Sequence, residues 1–158
     1  MSNSPAGPAK KVRALGLVTI VIGLIFVVAG AVTWGMVSTK LAAEKITVSA
    51  DAPMLAGAPV TGPIEAYIQA DMINHHALAA TDGKTYAELG KDDPLRQTAM
   101  TGSFLRASLF TSVIAFGVAL FAVGVGVIAI LIGWALRLTG ASASPAAAAV
   151  QERVAAAE

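Results

Sequence analysis

Hydrophobic residues in this chain fall into two long uncharged runs with a patterned polar stretch between them. The longer run, Ala107 to Leu136 (ASLFTSVIAFGVALFAVGVGVIAILIGWAL), holds thirty residues without a charge. As an α-helix it would span roughly 45 Å, well beyond the ~30 Å hydrocarbon core of a bilayer. The earlier run, Ala14 to Val37 (ALGLVTIVIGLIFVVAGAVTWGMV), has twenty-four uncharged residues, an ordinary membrane-spanning length. A cleaved signal peptide is the competing reading, since Lys10, Lys11 and Arg13 precede the run and Ala29-Gly30-Ala31 is a small-residue stretch. Signal cores run only about 7–15 residues, so the length favours an uncleaved anchor. The fold class expected is an all-α membrane protein: two transmembrane helices, 14–37 and 107–136, joined by an ordered, mainly helical extracytoplasmic loop, 38–106.

Within the loop, Ile46-Thr47-Val48-Ser49 has the composition of a short strand, and residues 51–59 read as turn-rich extended chain. Gly62 as N-cap, Pro63 at the first helical position and Glu65 behind it predict a helix over 63–80, which Asp82-Gly83 ends. Ile64, Ile68, Met72 and Ile73 recur at helical spacing and give it an apolar face. Thr85-Tyr86-Ala87-Glu88 forms a capping box for a short turn ending at Gly90. Asp93-Pro94 opens a helical extension, about 94–106, leading straight into the second span. A loop of this size buries little core alone, so its apolar face must lie on the membrane, on the spanning helices or on a partner. Glu65 and Asp71, in place of the basic residues typical of a lipid-surface helix, favour a partner protein. Outside the spans, residues 1–13 read as a disordered basic tail and 137–158 as a mobile alanine-rich tail.

Lysine and arginine placement sets the orientation. Lys10, Lys11 and Arg13 crowd the N-terminal flank, and the loop's 69 residues exceed the ~60 beyond which loop charges count for less. Both termini are therefore expected in the cytoplasm and the loop outside a cell (plasma) membrane crossed twice. Trp34 and Trp134 then fall near opposite interfaces.

Composition agrees: 56% hydrophobic, 13% charged, mean hydropathy +0.71. A net charge of +1 argues against nucleic acid as a partner. The lack of cysteine removes disulfides, thiolate metal sites, c-type haem attachment and cysteine nucleophiles together. Chemistry is sparse in what remains. Asp71 and His75, four apart on one helix face, form a workable pair of metal ligands, but His76 points about 100° away and no third histidine exists. A polar shoulder on a helix is the plainer reading of this cluster. Inside the spans the polar side chains are hydroxyls such as Thr19, Thr33, Ser108, Thr111 and Ser112, without the ionisable groups that proton relays and ion pathways need. No catalytic residue and no cofactor-binding residue is expected in this chain.

Glycine recurs instead. Gly16, Gly23 and Gly30 are seven apart, as are Gly117 and Gly124, and Gly126 and Gly133. A seven-residue repeat keeps small residues on one helix face and allows close packing. Such a stripe could join the two spans, a second copy, or a larger complex.

The run GPIEAYIQADMINHHALAATDGKTYAELGKDDPLRQTAMTGSFLRASLFTSVIAFGV resembles a family of small actinobacterial membrane proteins that often bear the label aromatic ring-opening dioxygenase. The similarity covers roughly Lys10 to Arg137, and DMINHHALAATDGKTYAEL is its most specific part. The label conflicts with the residues, because such dioxygenases hold iron with two histidines and a carboxylate around open positions. What the resemblance implies is a non-catalytic accessory subunit of the cytochrome c oxidase in a mycobacterial-type respiratory supercomplex. Core oxidase subunits, other supercomplex subunits and the lipid bilayer would be its partners, with haem and copper held by neighbouring subunits. The alternative is a stand-alone homo-oligomeric membrane protein, a sensor or regulator whose loop binds an outside ligand.

Overall fold

A computed structural model describes residues 7–156, the side chains of 141–155 excepted. Three helices account for its regular structure: α1 (Pro8–Ala43), α2 (Pro63–Ala80) and α3 (Arg96–Ala155), with no strand among the described residues. α1 and the Arg96–Gly140 part of α3 are each long and apolar enough to cross a membrane, with a mean hydropathy of 2.8 over their most apolar windows.

Residues 8–13 and 137–155, which the sequence reads as parts of the two tails, are helical; residues 1–6 lie outside the described residues. Pro8 begins α1 at the position where a missing N–H costs nothing, and Ala9, Lys10 and Lys11 are good helix formers. The basic cluster is therefore the first turns of a helix. At the other end α3 continues through the alanine-rich segment to Ala155. An isolated peptide of that length would have to nucleate a helix, whereas here an existing helix is only extended; the alanines favour that extension, while Gly140 and Pro145 oppose it.

The chain divides into two compact units: residues up to Gly30 with those from Phe121 onward, and Ala31–Leu120. In the first, α1 and α3 run antiparallel with backbones almost in contact. A Cβ added at Gly16 would lie 2.6 Å from the Gly133 carbonyl oxygen, and one at Gly133 would lie 2.5 Å from that of Gly16. Gly23 and Gly126 repeat the arrangement at 2.6 and 2.5 Å. No real side chain fits such gaps, so each backbone rests on the other and its Cα–H faces a carbonyl. Gly140, outside the predicted span, extends the row: a Cβ there would meet Arg13 Cγ at 2.7 Å and the Ala9 carbonyl at 3.0 Å. Gly30 is buried. Gly117 and Gly124 have nothing within 4 Å of such a Cβ and are not packing positions here. Gly124 and Gly126 are about 200° apart around a helix, so one partner helix cannot cover both.

Hydroxyls contribute little between helices. Those of Thr19, Thr111 and Thr139 donate to carbonyls four residues back, of Leu15, Ala107 and Ala135, at 2.8–2.9 Å.

In the second unit α2 occupies the range its start and stop signals predicted. It begins behind Gly62 and Pro63, and ends with Thr81 as C-cap, Asp82 at φ 52° and the Gly83 N–H donating to Leu78 O at 2.8 Å. The strand expected at Ile46–Ser49 is instead one bridge, Thr47 to Pro59, within a tight turn held by Val48 N–H to Ala58 O and Val60 N–H to Ile46 O, both 2.9 Å. The core collects Leu41 of α1, Val48 and Val60 of the turn, Ala66 and Ala70 of α2, and Leu109 and Phe116 of α3. Trp34 meets Phe116 edge-on at 4.7 Å. This corrects the placement of the apolar face of α2 on a partner protein: Ile68 and Ile73 pack against the chain's own core, while Ile64 stays 61% exposed. Ala66 and Ala70, one turn apart, let the α2 backbone sit close, and a count of large residues misses that.

Glycine packing yields a direct contrast between two neighbours on α3. Gly126→Leu should destabilise the chain by ~1–3 kcal/mol through overpacking against Val27 and the Gly23 carbonyl. Gly124→Leu should be near neutral and still insert normally. Midpoints of detergent-solubilised thermal unfolding measure both, and equal midpoints would show that the row contributes nothing.

Candidate functional site

The polar chemistry of the chain lies on the Ala31–Leu120 unit, where α2 runs beside the first part of α3. A Cβ at Gly102 would lie 2.6 Å from Ala77 Cβ, so the two helices approach closely there. Arg106 donates to Asn74 Oδ1 at 3.1 Å and lies 5.3 Å from the Phe110 ring, which meets Tyr67 edge-on. Arg96 closes the far end. Its Nη1 donates to Leu89 O at 2.6 Å while its guanidinium stacks 4.0 Å over the Tyr86 ring. The 85–90 turn is thereby tied to the first turn of α3. Its own closure is the predicted capping pair: the Thr85 N–H and hydroxyl both donate to Glu88 Oε2, at 2.8 and 2.7 Å. Those bonds, the backbone one first, hold the Glu88 carboxyl below its ordinary range. Asp93 Oδ1 accepts from Leu95 N–H at 2.9 Å, so Asp93 caps α3 as predicted, although regular helix starts only at Arg96.

Among the described residues two polar side chains are buried, Gln69 and Thr81, and both are satisfied. Gln69 Oε1 accepts from Ser49 N–H at 2.8 Å and pins the 46–60 turn to α2. The Thr81 hydroxyl reaches Lys84 O at 2.6 Å and Ala77 O at 2.9 Å, closing the end of α2.

The structure does not bring Asp71 and His75 together with a third ligand. Both are exposed, and the described residues contain no cluster of three or more His, Asp or Glu able to hold a metal. His75 and His76 diverge, with ring centroids 6.0 Å apart. His76 pairs instead with Asp51, Nε2 to Oδ2 at 2.7 Å, clasping the 46–60 turn to α2 across twenty-five residues. Asp51 opens the turn-rich stretch 51–59, and local sequence there carries no signal for so distant a partner. The hydrogen bond from His76 is the main cause that lowers the Asp51 carboxyl from its ordinary value of 3.8. Beside His76 lies a cleft of about 400 Å³ with Gln97, Thr98 and Thr101 in its wall. Of the seven glycines predicted to pack, Gly16, Gly23, Gly126 and Gly133 meet directly. They serve structure and offer no chemistry.

Comparison with protein-family models, with curated proteins and with solved structures found no match to this chain.

The clasp has a defined pH sign. A carboxyl depressed in the folded chain binds fewer protons than in the unfolded chain. Its stabilisation is therefore complete above 3.8 and is lost as pH falls through the lower folded value. A carbon-13 NMR titration of Asp51 should give a midpoint below 3.8 in the wild type, rising toward 3.8 in His76→Ala. An unmoved midpoint would mean that the contact does not persist in solution.

Proposed function

We propose that this chain is a non-catalytic accessory subunit, structural or assembly in role, of an actinobacterial cytochrome c oxidase within a respiratory supercomplex. The observation carrying this reading is a folded loop unit that still presents large apolar side chains outward. Met54 is 62% exposed and Ile64 61%, with Leu55 and Tyr67 also exposed on the same unit. Large exposed apolar side chains on an otherwise ordered surface suit a protein partner. The 62–118 run resembles a family of small actinobacterial membrane proteins, and the accessory role that this resemblance implies is what suggests the oxidase as partner. Haem and copper belong, in this reading, to neighbouring subunits.

Membrane insertion is part of the proposal. Only 17% of the most apolar window of each long helix is buried within the chain. At ~25 cal/mol per Å² that much apolar surface is costly in water and favourable in lipid. In this reading the N-terminal basic cluster favours both termini in the cytoplasm of a plasma membrane and the loop outside. A cysteine at Lys84, exposed on the loop, should label with an impermeant maleimide in intact cells, and one at Ser142 should not. The reverse pattern would overturn the orientation.

A second reading, a stand-alone homo-oligomeric sensor or regulator, is favoured by the cleft beside His76, whose wall includes Gln97, Thr98 and Thr101. Purification in mild detergent through a C-terminal tag separates the two. Stoichiometric haem in the eluate is the expected result, and a colourless homo-oligomer would replace the first reading with the second.

A further inference from the structure

A groove of about 610 Å³ opens where the last turns of α1 face α3 and α2 within the Ala31–Leu120 unit. Its walls are apolar, formed by Val37, Leu41, Ile46, Phe104, Leu109 and Ala115. Phe104 is 74% exposed and Leu41 and Leu109 are buried, so the groove has a lipophilic floor and an open side. The hydroxyls in its wall offer little to a polar ligand: those of Thr111 and Ser112 donate to Ala107 O at 2.8 Å and Ser108 O at 3.4 Å. Two charges stand at one end: Lys40 in the last turn of α1 and Glu44 in the turn that follows it. Both are exposed, and neither is in the ion pair found among the described residues, which joins His76 and Asp51.

We propose that this groove binds one zwitterionic aminophospholipid, phosphatidylethanolamine in chemical class. An acyl chain lies along the apolar walls, its phosphate meets Lys40, and its ammonium meets Glu44. The inference rests on the membrane part of the proposed function and is independent of the oxidase. Three observations select this occupant. A partner helix ~10 Å across would fill the groove in roughly one and a half turns, too short a segment to dock stably, whereas a flexible acyl chain can follow it. The apolar Met36 and Val37 of α1 precede Lys40 in its last turn and Glu44 just beyond it, the same order as tail to headgroup. The paired signs discriminate between headgroups. An anionic lipid leaves Glu44 facing negative charge, and a quaternary ammonium has no N–H to donate to its carboxylate.

The test uses the full chain, reconstituted in vesicles of equal dioleoyl-phosphatidylethanolamine, -choline and -glycerol, extracted in mild detergent and weighed by native mass spectrometry. One retained phospholipid per chain is expected, with phosphatidylethanolamine favoured about ten-fold over the other two, or 1.4 kcal/mol. Ser112→Phe, which fills the groove from a lining position, should abolish retention, while Leu131→Phe, outside the groove, should not. Glu44→Gln should keep a lipid but lose the preference, so the proposal stays testable even if the phenylalanine variant misfolds. A lipid-free wild type, retention unchanged by Ser112→Phe, absence of headgroup preference, or a dimer in place of the lipid adduct would each overturn it. Alkaline carbonate extraction of the source membranes separates the failures. Release of the chain refutes membrane insertion and the lipid site together, whereas a chain that stays in the membrane yet carries no lipid refutes the site alone.

Discussion

In the first unit the approach of α1 to α3 depends on closeness, and closeness is what the glycine row provides. Between apolar helices in an apolar medium there is little hydrophobic drive, so attraction grows with the number of atoms that reach contact distance. Reciprocal seating of Gly16 on Gly133 and Gly23 on Gly126 brings main chain to main chain and lets Val27, Ile20 and Ile130 close over the gaps. Thr19, Thr111 and Thr139 do not substitute, since their hydroxyls bond to their own helices. The antiparallel register of the first unit follows from this row alone.

Small residues set the packing of the second unit as well. Ala66 and Ala70 are fully buried, and Gly102 faces Ala77 at a distance that admits no larger side chain. Once the small face of α2 is turned inward, its larger residues Ile64 and Tyr67 are turned out. Tight internal docking and an exposed apolar surface are thus two results of one choice of face. A loop that would be too small to hold a core by itself obtains one by borrowing Leu41, Leu109 and Phe116 from the long helices.

Polar contacts then tie down what packing leaves free. Gln69 and the His76–Asp51 pair fix the 46–60 turn, and Arg96 fixes the 85–90 turn, each spanning a gap in sequence with a single side chain. His76 also lines the cleft beside α3, while His75 lies on open surface.

Much of this was legible from residue pattern alone. Uncharged run length determined the two long helices, because backbone geometry converts residue count directly into span. Gly62-Pro63, Asp82-Gly83 and Asp93-Pro94 marked α2 and the start of α3, since capping is chemistry between near neighbours. The seven-residue glycine period located Gly16, Gly23, Gly126 and Gly133. What it could not do was choose between rows. Gly117 and Gly124 have the same spacing and pack on nothing, because a period describes one helix whereas contact needs the phase of two. The face of α2, the pairing of Asp51 with His76 and the charged groove at Lys40 and Glu44 were decided only by tertiary structure. Each depends on residues far apart in the chain arriving together, and local propensity carries no record of that distance.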